Sequence, residues 1–144
     1  MPARDKYHKA VTTALIRDGW TITHDPYIIP IGKTNVQVDL GAEMPIAAER
    51  GQQRIAVEIK GFLGDSALYD LEKALGQYSL YRVMLLRQEP DRVLYLAVPH
   101  TIRDFLLTES DFRYVLRELD VRLIFFDPGK EEVLEWIETV NIAP

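Results

Sequence analysis

Two short stretches decide how this chain is read: Val36-Gln37-Val38-Asp39-Leu40 and, further on, Arg54-Ile55-Ala56-Val57-Glu58-Ile59-Lys60. Both alternate with a period of two, the mark of extended backbone whose successive side chains leave opposite faces. The first sets Val36, Val38 and Leu40 on one face, with Gln37 and Asp39 on the other. The second sets Ile55, Val57 and Ile59 against Ala56, Glu58 and Lys60. Glu58 and Lys60 therefore point the same way, and a one-residue slip would bury either charge among apolar neighbours. With Asp39 on an adjacent strand, two carboxylates converge beside an ammonium group.

Outward from this pair, Tyr7, Val11, Ala14 and Leu15 recur at helical spacing, predicting a helix from about Arg4 to Asp18 that Gly19 ends. Trp20 to Ile29 is predicted to be extended with a bend at Asp25-Pro26, and Pro30, Gly32 and Asn35 bound a turn. The polar stretch Glu43 to Gln52 is taken as a connection. After Lys60, Ser66 caps a helix with an apolar stripe at Leu68, Leu71, Leu75 and Tyr78, running to about Tyr81.

Val83 to Leu86 and Val93 to Val98 are nearly continuous apolar runs, the pattern of strands covered on both faces. Thr101 and Asp104 suggest a capping box for a short helix to Leu107. A further helix from Ser110 to about Leu119 buries Phe112, Val115, Leu116 and Leu119, and Val121 to Phe126 is a strand. Asp127-Pro128-Gly129-Lys130 turns the chain into a final strand, Glu132 to Ile137. A meander followed by a strand-helix-strand crossover implies an α/β domain with a mixed sheet flanked by helices. The 144 residues fit one such domain, 1–144, with one core.

Composition narrows the function. Cysteine is absent, which removes disulfides, thiolate nucleophiles and zinc ribbons. A formal net charge of -5 argues against a non-specific nucleic-acid coat, yet leaves room for an acidic site whose bound cations offset it. No apolar stretch approaches the roughly 20 residues of a membrane span, so a cytoplasmic protein is expected.

Asp39 and Glu58 form a hard-oxygen pair suited to Mg²⁺ or Mn²⁺, with the main-chain carbonyl of Ile59 and waters completing an octahedron. Such a metal activates water and stabilises charge in phosphodiester hydrolysis, while Lys60 orients the attacking water. The competing account is that Glu and Lys two residues apart simply form a solvated sheet surface. Gln77 and Tyr81 lie one helical turn apart. Gln77 either bonds near a phosphate or faces solvent; Tyr81 either touches nucleic acid or covers the sheet edge. Asp5, in the first helix, either approaches the metal through water or is an ordinary first-turn acid favoured by the helix dipole.

These strands and the helix after them resemble the PD-(D/E)xK superfamily, in which the Asp and Glu are metal ligands and the Lys is the third catalytic residue. Val38 replaces the usual proline, and Gln77 with Tyr81 resembles the Q-x-x-x-Y of RecB-like nucleases. Over nearly its whole length, from Asp5-Lys6-Tyr7-His8 through Gly19-Trp20-Thr21-Ile22-Thr23-His24-Asp25-Pro26 to Val57-Glu58-Ile59-Lys60, the chain also resembles the XisH family of fdxN-element excision controlling factors. That resemblance implies a restriction-endonuclease-like fold and a part in excising a DNA element during cyanobacterial heterocyst development. It also implies a small XisI-like partner and a site-specific recombinase system.

The expectation is thus a metal-dependent DNA endonuclease, with Asp39, Glu58, Lys60, Gln77, Tyr81 and Asp5 in its site and Asp39, Glu58 and Ile59 on the metal. The alternative is a non-catalytic DNA-binding or protein-interaction factor controlling a recombinase. A homo-oligomer is a further possibility.

Overall fold

The structure, a computed structural model, describes residues 3–47 and 51–141, with side chains described for 7–44 and 53–141. Helix α1 (Ala3–Arg17) buries Ala10, Val11, Ala14 and Leu15 on one side. It ends in a glycine-centred cap, in which Gly19 N donates to Ile16 O at 3.0 Å and Trp20 N to Leu15 O at 3.0 Å. Gly19 has a φ of 96°, which costs a residue without a Cβ little.

The chain continues through β1 (Thr21–His24), β2 (Tyr27–Ile31), β3 (Thr34–Val38), β4 (Leu40–Ala47) and β5 (Gly51–Ile59). Helix α2 (Ala67–Gln88) crosses over to β6 (Arg92–Pro99). After a 3-10 turn at His100–Ile102 come α3 (Arg103–Leu107), α4 (Ser110–Glu118), β7 (Leu123–Asp127) and β8 (Glu132–Ile137).

Six strands form a mixed sheet in the order β1-β4-β5-β6-β7-β8, with β5, β6 and β7 parallel and the remaining pairs antiparallel; β2 and β3 form a separate hairpin. Alternation along the central strands feeds two cores. Ala56, Leu94, Leu96, Val98, Leu123 and Phe125 join the core beneath α2. Ile55, Val57, Tyr95, Ala97, Ile124 and Phe126 pack with Ala10, Val11 and Leu15 of α1. Helices thus cover both faces of an α/β sheet, and the central strands are apolar on both sides as parallel strands require.

Five expectations fail. Val38 and Leu40 do not share a face: Val38 packs in the core under α2 and Leu40 in the core under α1, because the chain leaves the hairpin and enters the main sheet at Asp39. The polar stretch expected as a connection pairs instead as β4 and β5, where Glu43 meets Arg54 across the ladder and bonds it at 2.9 Å. Val83 to Leu86 is not a strand. The stripe Leu71, Ala74, Tyr78, Tyr81, Leu85 carries α2 through it, leaving Val83 and Leu86 exposed. Thr101 caps nothing: α3 begins after Ile102 with no side-chain cap, and Thr101 lies in the preceding 3-10 turn. In α4, Leu116 is buried while Val115 is exposed.

Candidate functional site

The end of β5 and the corner between β3 and β4 meet at one place. Antiparallel pairing of Leu40 with Val57 puts Asp39 beside the Glu58-Ile59 backbone. Ile59 N donates to Asp39 Oδ2 at 2.8 Å, and Asp39 N donates to Glu58 Oε1 at 3.3 Å. Lys60 Nζ lies 3.3 Å from Glu58 Oε2. The structure therefore brings Asp39, Glu58, Ile59 and Lys60 together.

Glu58 is the buried member, 5 % exposed. Burial, reinforced by the Asp39 charge and opposed by Lys60, pushes its carboxyl up to about 7. Tyr81 is packed in the core under α2, its hydroxyl pushed up by burial and then by the charges of Glu58 and Asp39. One turn earlier on α2, Gln77 has its Oε1 buried with no protein hydrogen-bond partner. Asp5 stands in the first turn of α1, but its side chain lies outside the described residues.

Beside this group is a cavity of about 160 Å³, lined by Tyr7, His8, Asp39, Lys60, Phe62 and Leu63 among others. His8 is held by Asp25, with Nε2 2.9 Å from Oδ1, which ties α1 to the bend before β2. Gly61 is required here, since a Cβ would stand 2.8 Å from the Tyr7 ring. Phe62 adopts a φ of 54°, an uncommon conformation for a bulky side chain. Tyr7 and Phe62 were not singled out from sequence for this cavity; the apolar run Gly61-Phe62-Leu63 after a charged strand end was the available signal.

The geometry corrects the expected Mg²⁺- or Mn²⁺-dependent endonuclease. Among the described residues no group of three or more His, Cys, Asp or Glu is placed to hold a metal ion. Among the described side chains, Asp39 and Glu58 gain no third ligand: His8 is committed to Asp25 and Glu43 to Arg54. Each of the two carboxylates already accepts from the backbone, that of Glu58 from Asp39 N and that of Asp39 from Ile59 N. Without such a group, the expected metal cofactor and the hydrolytic activity built on it lose their support. No helix among the described residues is long and apolar enough to cross a membrane.

Comparison with known proteins places this arrangement in a family. The model for the XisH protein family matches residues 1–134. The crystal structure of an XisH family protein from Nostoc punctiforme PCC 73102 is 38% identical with a TM-score of 0.82, over 92% of this chain and 99% of that one. That of an fdxN element excision controlling factor protein from Anabaena variabilis is 41% identical with a TM-score of 0.82, over 93% and 99% of the two chains. No curated protein matches. From a family match over most of its length and these two near-complete structural matches, the chain belongs to the XisH family.

Proposed function

We propose that this chain is a non-catalytic protein-interaction factor that controls a site-specific recombinase in the excision of a DNA element. The observation that carries the reading is the outward face of α2, where Tyr69, Leu80 and Val83 are all exposed around Gly76. At about 100° per residue these four positions fall within a sector of about 60°, so one helix face offers large apolar side chains with a gap where a partner can approach closely. The structural relative from Anabaena variabilis is described as an excision controlling factor, which names control. A small XisI-like protein is the partner this surface is proposed to take.

A broad DNA-binding face has less support. Of the basic residues such a face would draw on, Arg4, Lys6, Lys9, Arg50, Arg54 and Lys73, the side chains of Arg4, Lys6 and Arg50 lie outside the described residues, Arg54 is paired with Glu43, and the exposed Lys9 and Lys73 stand on different helices. The scaffold is proposed to be restriction-endonuclease-like, on the support of an antiparallel β4-β5 pair followed by the α2 crossover into parallel β6. On it, Asp39, Glu58 and Lys60 serve as a polar knot closing the corner between the two sheets, with Tyr81 packed beneath and Gln77 one turn away.

Copurification of the chain with an XisI-like protein tests the reading. Leu80→Asp with Val83→Asp is expected to abolish the complex while Asp39→Asn keeps it. A double variant that binds as well as wild type removes the assignment, and loss of self-association instead would mark the face as a contact between copies.

A further inference from the structure

At the opposite end of the parallel strands from Glu58, around the start of β6, three arginines enclose a cavity of about 130 Å³. Arg82 comes from α2, Arg92 from the first position of β6 and Arg122 from just before β7. Asp120 lines it as well, reached by Arg122 Nη1 at 3.4 Å and by Arg82 Nη1 at 3.9 Å. The Arg92 side chain is 3% exposed, with Nη1 donating to Ile55 O at 2.9 Å, Nη2 3.2 Å from Glu89, and its plane 4.5 Å over the Tyr27 ring.

Two features point to a missing acceptor. Among the described residues, three guanidinium groups meet two carboxylates, an excess of positive charge on a chain whose net charge is -5. The Nε–H groups of Arg82 and Arg92 are both buried without a protein acceptor, although a buried donor ordinarily finds one. The walls are also held in place beforehand. The Tyr78 hydroxyl, fully buried, lies within hydrogen-bonding distance of Leu94 O and Asp120 O and accepts from Arg122 N at 3.0 Å, joining α2, β6 and the segment before β7.

We propose that this cavity binds one phosphate group, with Arg82 and Arg122 as its charged clamp and Arg92 as a fixed donor in the wall. Convergent guanidinium groups from three elements suit a tetrahedral oxyanion, which can accept from several directions, better than a planar carboxylate that one arginine satisfies in a fork. Asp120 competes for the same two arginines and so sets the affinity low. The site goes beyond the α2 docking face and does not depend on it.

Titration of the purified chain with inorganic phosphate, against sodium chloride of equal ionic strength, tests the proposal. One-site binding specific to phosphate is expected. Arg82→Gln and Arg122→Gln are each expected to weaken it about tenfold, and Asp120→Asn to tighten it, because a charge-assisted contact is lost or freed. Asparagine suits the φ of 54° at this position, so the last variant keeps the fold. Fluorescence anisotropy with duplex DNA separates the sources. DNA binding lost in the same arginine variants assigns the phosphate to a nucleic-acid backbone, whereas unchanged DNA behaviour assigns it to a small phosphate compound. Phosphate acting no more strongly than chloride, or binding equally to wild type and both arginine variants, overturns the site.

Discussion

Asp39 and Glu58 hold each other through the backbone: Asp39 N donates to the Glu58 carboxylate at 3.3 Å, and Ile59 N, one residue on, donates to the Asp39 carboxylate at 2.8 Å. This reciprocal bracket pins the point where the chain passes from the β2-β3 hairpin into the main sheet. It also places a buried carboxyl beside a second charge, and that has a consequence for stability.

The Glu58 carboxyl lies at about 7 in the folded chain, above the ordinary 4.5. The folded state therefore holds the proton more tightly than the unfolded one. Its contribution is full below the unfolded value and is lost as pH rises through the folded value, so stability from this group falls between about pH 4.5 and 7. The fall is up to about 3 kcal/mol. Urea denaturation of wild type and Glu58→Gln across that window measures it: the wild-type curve is expected to decline relative to the variant, and parallel curves contradict the assignment.

The neighbours of Glu58 act on it in opposite directions. Asp39 raises its carboxyl and Lys60 lowers it. Carbon-13 titration of the Glu58 carboxyl is expected to move up in Lys60→Met and down in Asp39→Asn. Shifts of one sign in both variants would contradict the pairing.

Tyr78 joins three elements through one buried oxygen. Tyr78→Phe leaves Arg122 N without that acceptor and is expected to cost about 1–3 kcal/mol, the penalty of a stranded buried group. Chemical denaturation reads it directly, and a loss below the error of the fit contradicts the role given to the hydroxyl.

Gly61 gives the Tyr7 ring its space. Gly61→Ala is expected to destabilise by about 1–3 kcal/mol through overpacking, and adding Tyr7→Ala should recover part of that by opening the space. A double variant no more tolerant of alanine at position 61 than wild type would show that the ring is not the obstacle.

Much of the frame was legible because it rests on local period. Ile55 to Glu58, Val93 to Val98 and the β7-β8 hairpin each carry their own alternation or turn chemistry, and Ser66 caps α2, accepting from Tyr69 N at 3.1 Å. What was not legible depends on distant partners. Val38 and Leu40 look like one face until the sheet change at Asp39 separates them. Val83 to Leu86 looks like a buried strand because two of its apolar residues belong to an exposed helix face. At the site, periodicity sets Glu58 and Lys60 on one side, but it cannot count the ligands that other elements fail to supply. That His8 turns to Asp25, and Glu43 to Arg54, is decided by residues 17 and 11 positions away.

The central claim is that the polar group at the sheet corner is a closed structural knot on a non-catalytic scaffold. Calorimetric titration of Mn²⁺ into wild type and Asp39→Ala tests it most directly. The account predicts no saturable binding to either protein; a one-site isotherm in wild type that vanishes in Asp39→Ala would contradict it.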